Sequence, residues 1–316
     1  MLRPDDPIYL AGHTGLIGSA FLQALPAAGY RNIVTRTHAA LELTDTAAVE
    51  AFFAAERPRA VILAAGRVGG IMQNQQTPAT FIDDNLFIQA NILRAAQRNG
   101  VERLILFGSS CMYPRECKQP MAESALLTGH PEPTSLSYAI AKLAGVQLCR
   151  AYNQQYGAVR FIPVIPNSAY GPNDDFNPAT GHVLSSLINR FHNAVATGAA
   201  DVTLWGSGTP RREFIHTSDI AAAVIALLQL ENITVDLPIN LGSGIDYSIR
   251  ELAEAIAAVT GFTGQILWDS SKPDGAPRKL LDSTRLRSLG WRPGVTLDDG
   301  LRETYQWYKS RLANAE

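Results

Sequence analysis

Along the chain, short apolar runs alternate with stretches of helical length. An apolar run over 8–11 precedes helical spacing over 16–28. A second, over 32–34, precedes 45–56, and a third covers 60–65. This is the rhythm of βαβ units. It continues with a helical stretch over 84–99, a strand at 103–107, a helical stretch over 137–156 and a strand at 161–165. The runs VILAA and LILF are continuously apolar rather than alternating, which predicts central strands of a parallel sheet covered on both faces.

After Tyr170 the pattern changes. Residues 171–181 are rich in Gly, Pro, Asn and Asp, a loop long enough to carry function rather than merely connect. Helical runs over 183–196 and 218–230 and a strand-like run over 238–241 follow. The piece around 239–241 is suited to return to the first sheet. The expected organisation is a first domain over 1–170, rejoined by a segment near 214–245, and a smaller lobe mainly over 171–316.

At 316 residues the chain is long enough for two such lobes. Hydrophobic residues at 46% and charged residues at 18% exclude disordered, collagen-like and disulfide-scaffold classes. The net charge of −2 comes without any long run of like charges, so a nucleic-acid partner is not expected. Cys111, Cys117 and Cys149 form no CxxC pair, and the six histidines show no HExxH; the expectation is a reducing compartment and no metal site. No stretch of 18 apolar residues and no cationic, apolar, cleavable leader is present, so the expectation is a cytoplasmic protein without a membrane partner.

The first strand runs into Gly12-His-Thr-Gly15-Leu-Ile-Gly18 and then a helix. Glycines there let the backbone turn tightly and approach a pyrophosphate, which the amides at the helix start then meet. The spacing GxxGxxG is one residue longer than the GxGxxG fingerprint. Around the second strand, Val34-Thr-Arg36-Thr-His38 holds no acid. An acid there would bond a ribose 2′-OH and a base would accommodate a 2′-phosphate, so NADP(H) is favoured, with NADH a weaker alternative. The fold expected from these signals is α/β: a Rossmann-type doubly wound parallel sheet with a smaller C-terminal α/β substrate lobe.

Tyr138 and Lys142 stand four residues apart, one turn along one helix face. A phenol is a poor acid-base group at neutral pH, and an adjacent cation is expected to lower its pKa and make Tyr138 usable. Ser109 and Ser110 follow a sheet strand, at the edge where open α/β sheets bind ligands.

With GxxGxxG, Ser109 and YxxxK together, the chain resembles the extended short-chain dehydrogenase/reductase superfamily. Val68-Gly-Gly-Ile71, Gly108-Ser-Ser-Cys-Met-Tyr-Pro114, Lys118-Gln-Pro-Met-Ala-Glu123, Tyr170-Gly-Pro172, Trp205-Gly-Ser-Gly-Thr-Pro210, Arg212-Glu-Phe214 and Lys272-Pro-Asp-Gly275 look like the GDP-L-fucose synthase family within it. That resemblance implies inversion of GDP-4-keto-6-deoxy-D-mannose at C3 and C5, then NADPH-dependent reduction at C4. A C4 ketone acidifies the protons on both neighbouring carbons, so one base, one acid on the opposite face and one enolate stabiliser can serve both inversions.

By the resemblance Cys111 is the base and His182 the acid. Ser109 and Tyr138 hold the C4 oxygen as charge develops, Tyr138 then supplies a proton, and Lys142 binds the nicotinamide ribose. Cofactor contacts are implied at Gly12, Thr14, Gly15, Leu16, Ile17, Gly18, Arg36, His38, Ala65, Phe107, Gly108, Ser109, Tyr138, Lys142, Pro166 and His182. Substrate contacts are implied at Ser110, Arg190, Trp205, Arg212, Asp274 and Lys279, where arginine suits a diphosphate and tryptophan offers an aromatic face.

Two departures stand out. Thr14 and His38 occupy places where the family has more strongly basic or polar partners for the 2′-phosphate, which weakens the expected preference for NADPH. Ser168 stands where the family often has an amide. The competing readings are the same chemistry on a colitose- or heptose-type GDP-4-keto sugar and a non-catalytic nucleotide-binding regulator on the same fold. A homodimer is implied, paired through two helices of which one carries YxxxK.

Overall fold

The computed structural model describes residues 2–158, 160–230, 236–272 and 274–314. Pro273 of the Lys272–Gly275 motif and residues 231–235 of the 214–245 segment lie outside the described residues. In chain order the first elements are β1 (Ile8–Ala11), α1 (Leu16–Ala27), β2 (Ile33–Val34), α2 (Thr46–Glu56), β3 (Ala60–Leu63), α3 (Ile71–Gln76), α4 (Pro78–Arg98), β4 (Arg103–Phe107), α5 (Leu136–Tyr156), β5 (Phe161–Pro166) and β6 (Ser168–Tyr170). They continue with α6 (Val183–Thr197), β7 (Asp201–Trp205), β8 (Arg211–His216), α7 (Thr217–Gln229), β9 (Ile239–Leu241), β10 (Asp246–Ser248), α8 (Ile249–Thr260), β11 (Gln265–Asp269), β12 (Arg278–Lys279), α9 (Thr284–Ser288) and α10 (Leu297–Ala313).

Six strands form one parallel sheet in the order β2-β1-β3-β4-β5-β9. The continuous apolar runs have a direct cause, because each strand splits its side chains between two buried faces. Ile8 and Leu10 pack with α1 and α7 residues such as Phe21, Leu25 and Val224. Tyr9 and Ala11 pack on the other face with Val49 and Phe53 of α2, Ile92 of α4 and Val146 of α5. The strand order reverses between β1 and β3, and that switch point is where open α/β sheets leave a crevice at the carboxyl ends of the strands.

A second group of strands joins β10, β8 and β12, with β6 also pairing β8, while β7 pairs β11. Its own core is built from Leu187, Ile188 and Phe191 of α6, Leu252 and Ile256 of α8, and Leu301 and Tyr305 of α10.

The helix expected from residue 84 begins earlier, at Pro78, with Thr77 as N-cap; proline's fixed φ and missing N–H suit a first helical turn. A further short helix, α3, was not foreseen. The strand expected over 60–65 ends at Leu63, and Ala64–Ala65 turns against the glycine segment. No helix among the described residues is long and apolar enough to cross a membrane.

Candidate active site

The glycine segment sits at the switch point, between the ends of β1 and β3. Gly12 has φ +82°, and a Cβ there would lie 2.6 Å from the Ala65 nitrogen. A Cβ on Gly18 would lie 2.0 Å from the Gly12 carbonyl oxygen, so the helix packs directly on the turn. Gly15 is the N-cap of α1 and makes no side-chain cap hydrogen bond, which leaves the amides of the first turn, at Leu16 and Ile17, available to an anion. The cradle is one that any side chain would fill, and the residues fit a dinucleotide pyrophosphate. Ala65, Phe107, Gly108 and Pro166 line up with it at the carboxyl ends of β3, β4 and β5.

The two bases beyond β2 already face carboxylates. Arg36 pairs with Glu56 and lies 5.3 Å from the centroid of the Phe52 ring. His38 is 88% exposed, with Nε2 2.6 Å from Glu42 Oε2. Thr14 is exposed on the turn. Thr14 and His13 line a cavity shared with Asp174 of the long loop and with Trp307 and Arg311 of α10.

The opposite wall rises from β4. Gly108 N–H donates to the Val164 carbonyl, and Ser109 caps a short 3₁₀ turn over Ser110–Met112, its hydroxyl accepting from Cys111 N–H at 3.3 Å. Tyr138, in the first turn of α5, is buried; its hydroxyl bonds with Ser109 and has Cys111 as an electrostatic neighbour. Lys142, one turn on, is 5% exposed. Its ammonium donates to the Phe107 carbonyl at 3.0 Å and lies 5.8 Å from the centre of the Tyr138 ring. Ser109, Cys111, Tyr138 and Lys142 are therefore brought to one place.

One expectation is corrected by this geometry. Lys142 was expected to pull the Tyr138 pKa down, yet burial pushes the phenol well above its usual value, opposed only by the Ser109 bond. Desolvation is the largest cause of the rise, and burial pulls Lys142 itself down to about 8 while its ammonium donates to the Phe107 carbonyl. Tyr138 stays protonated at neutral pH, the state a proton donor needs. Asn85 of α4, 1% exposed, lies close by. Its amide donates to the Arg67 and Phe81 carbonyls, and its own oxygen has no partner among the described residues.

His182 stands at the N-cap of α6 but makes no side-chain cap bond, so capping does not account for it. Its Nδ1 lies 3.6 Å from Asp174 Oδ1, and that carboxylate raises the imidazole's pKa. Asp174 was not foreseen, since three adjacent residues, Asn173, Asp174 and Asp175, look alike in a polar loop. No close contact joins His182 to Tyr138. The link runs through Phe81, whose ring meets Tyr138 edge-on at 6.3 Å, to Gly69–Gly70, which abuts Thr180.

The residues expected to contact substrate form a connected set. Arg190 donates to the Thr203 carbonyl at 2.8 Å, beside Trp205, which is 71% exposed on the same face of β7. Asp274 accepts from Ser207 N–H and hydroxyl, next to Trp205, and Arg212 donates to the Ala276 carbonyl at 2.7 Å. Lys279 pairs in register with Arg212 across β12 and β8, and it lines one pocket with Ser110 and Cys111. Lys279 thus joins the Arg212 strand to the Cys111 wall.

The loop after Cys111 is tied down by Asn240 of β9. Asn240 accepts from the Tyr113 hydroxyl at 2.6 Å and donates its amide to the Met121 and Asp282 carbonyls. Its backbone N–H is taken by the buried Glu123. Ser168 pairs with Phe214 in the lobe sheet, and the amide expected there is found one residue earlier, where Asn167 donates to Glu213 at 2.7 Å.

A glycine cradle at the switch point, a buried Tyr–Lys pair beside a strand-end serine and a lobe carrying arginines and an exposed tryptophan define a nicotinamide-dependent enzyme of sugar nucleotides. The chain belongs to the NAD dependent epimerase/dehydratase family, which it matches over residues 8–242. It is 50% identical to the GDP-L-fucose synthase of Escherichia coli (strain K12), over 95% of this chain and 96% of that protein. It is also 50% identical to the probable GDP-L-fucose synthase 1 of Oryza sativa subsp. japonica, over 98% of this chain and 94% of that protein. The crystal structure of a GDP-L-fucose synthetase from Naegleria fowleri bound to NADP superposes with a TM-score of 0.89 at 30% identity, covering 99% of this chain and 97% of that one.

Proposed function

We propose that this chain is a bifunctional 3,5-epimerase and NADPH-dependent 4-reductase that converts GDP-4-keto-6-deoxy-D-mannose to GDP-L-fucose. The observation that carries the reading is the joint placement of Ser109, Cys111 and the buried Tyr138 beside Lys142, supported by near-full-length likeness to GDP-L-fucose synthases.

Arg190, Trp205, Arg212, Asp274 and Lys279, with Ser110, hold the nucleotide end and bring the sugar to the Cys111 wall. The C4 oxygen lies between the Ser109 and Tyr138 hydroxyls, whose bonds strengthen as charge develops there. Cys111 takes the proton from C3, gives it up to water and later takes the one from C5, while His182 gives a proton to the opposite face of each carbon and is reprotonated by water between the two. When bound, the nicotinamide supplies hydride to C4. Tyr138, kept protonated by burial, gives its proton to the C4 oxygen, and Lys142 holds the ribose.

The turn Gly12, Thr14, Gly15, Leu16, Ile17 and Gly18 holds the pyrophosphate, and Arg36 and His38 meet the 2′-phosphate. Ala65, Phe107, Gly108 and Pro166 form the floor of the cofactor cleft. NADH serves as a weaker substitute, because Glu56 and Glu42 compete for the two bases. The domain covers 1–170 with the segment near 214–245, and residues 171–316 form most of the substrate lobe. The protein works in the cytoplasm as a homodimer joined through α4 and α5, where Phe87 and Ile140 leave apolar side chains exposed.

The test mixes the enzyme with GDP-4-keto-6-deoxy-D-mannose and NADPH or NADH, follows nicotinamide absorbance and identifies the sugar by NMR. GDP-L-fucose with faster use of NADPH is expected. Turnover to a product with C3 and C5 unchanged would overturn the bifunctional reading.

A further inference from the structure

The long loop before α6 is folded back on itself. A Cβ on Gly181 would lie 2.1 Å from the Asp175 carbonyl oxygen, and Gly181 N–H donates to the Asn177 carbonyl at 2.8 Å. Asp175 is used up in shaping this turn: one carboxylate oxygen takes Asn177 N–H and the other the Thr180 hydroxyl. The fold brings Asp174 and His182 together although they lie eight positions apart. The Asp174 side chain is 3% exposed in a surface loop, and its Oδ1 accepts from Asp175 N–H at 2.8 Å while facing His182 Nδ1 at 3.6 Å. Its Oδ2 has no partner among the described residues. A carboxylate so far out of water calls for a compensating partner, and the His182 imidazole is the group set against it.

We propose that Asp174 is the positioning residue for His182, holding the imidazole by Nδ1 so that Nε2 is the nitrogen that gives its proton to the sugar. The proposal rests on the reading of His182 as the acid of the inversions. In the step itself imidazolium loses the Nε2 proton to the enolate carbon, a C–H bond forms, and the imidazole that remains keeps its Nδ1 proton against Asp174. Water then reprotonates Nε2, since His182 is half exposed. The same pairing selects one neutral tautomer, as a hydrogen bond at one ring nitrogen does for histidine in general. The other titratable or charged side chains about the pair are Asp175 on the loop, whose field adds to that of Asp174, and His13, Tyr308 and Arg311 across the cavity that Asp174 lines.

The experiment compares wild type, Asp174→Asn, Asp174→Glu and His182→Gln. Asparagine keeps shape and an acceptor for Asp175 N–H while removing the charge, and thermal melts confirm folding. His182 is titrated by NMR of ¹⁵N-histidine-labelled protein, and deuterium uptake at C3 and C5 is followed against pH in deuterated water. In wild type His182 titrates above the free-imidazole value of about 6.5. In Asp174→Asn it falls to about that value or lower, and the alkaline limb of exchange moves down with it. Exchange above neutrality drops on the order of tenfold, a part of the 10²–10⁴ that a general acid supplies. KM and NADPH oxidation with the already inverted ketone stay unchanged, and Asp174→Glu recovers part of the loss. Loss of inversion at C3 and C5 in His182→Gln, read by NMR of the sugar, beside an unmoved His182 titration in Asp174→Asn would keep the acid role and overturn the proposal alone. Full inversion retained in His182→Gln would overturn the acid role itself and the proposal with it.

Discussion

Replacing Lys142 with methionine removes a buried ammonium and keeps most of its stem. In the ligand-free protein the fall of this amine from 10.5 to about 8 is caused by burial alone. At about 1.4 kcal/mol for each tenfold change in protonation, that is about 3 kcal/mol of lost stability wherever the amine is protonated in both states, which is below pH 8. Between pH 8 and 10.5 the unfolded chain binds more protons than the folded one, so this cost shrinks as pH rises. Against it, methionine leaves the Phe107 carbonyl without its donor, a loss of about 1–3 kcal/mol. The two nearly cancel at pH 7, so the informative quantity is the pH dependence. Wild type should gain about 1 kcal/mol on Lys142→Met between pH 7 and pH 9. Urea unfolding followed by tryptophan fluorescence at both pH values measures the gap, and groups common to both proteins cancel in the difference. A gap that does not change with pH would refute the account of Lys142 as a cation held out of water.

Gly18→Ala should weaken NADPH binding at least roughly tenfold and cost about 1–3 kcal/mol of stability, because the new methyl meets the Gly12 carbonyl; NADPH fluorescence titration and a thermal melt read both. Glu56→Gln should release Arg36 from its carboxylate, raising affinity for NADPH about 1.4–5-fold, the equivalent of the 0.2–1 kcal/mol an exposed ion pair supplies. NADH affinity should not move, and equal gains for both cofactors would sink the assignment of Arg36 to the 2′-phosphate. Ile140→Asp, on the exposed face of α5, should shift sedimentation at micromolar concentration from dimer to monomer without a change in far-UV circular dichroism. A wild-type protein that sediments only as a monomer would remove the dimer.

The sheet was legible because its strands are buried on both sides. Residues such as Ile62 and Leu63 belong to different cores, yet both must be apolar, so the run is continuous and stands out. The glycine turn was legible for a similar reason: Gly12 and Gly18 sit where any side chain would collide with backbone. The second lobe was less visible. Its β7 alternates exposed and buried residues instead of running continuously apolar, and in the first domain α3, reading IMQNQQ, buries only Asn74 and so shows no apolar face. At the site, spacing placed Tyr138 above Lys142 but could not say that both would be desolvated, and desolvation reversed the expected direction of the tyrosine's shift. Asp174 differs from Asp175 only in where a tight turn leaves it, which no local pattern records.

Asn240 ties three separate stretches, at Tyr113, Met121–Glu123 and Asp282, to the last strand of the parallel sheet. The wall that carries Cys111 therefore has no independent hinge. Its amides should exchange with solvent at the rate at which the sheet edge itself opens, rather than at the faster rate of a surface loop. Cutting the gene after residue 170 to obtain a minimal cofactor-binding fragment would remove β9 and leave the Tyr113 hydroxyl and the Glu123 carboxylate buried without their partners. The chain is organised to be folded whole, and the wall that carries Cys111 takes its rigidity from a strand that arrives more than a hundred residues later.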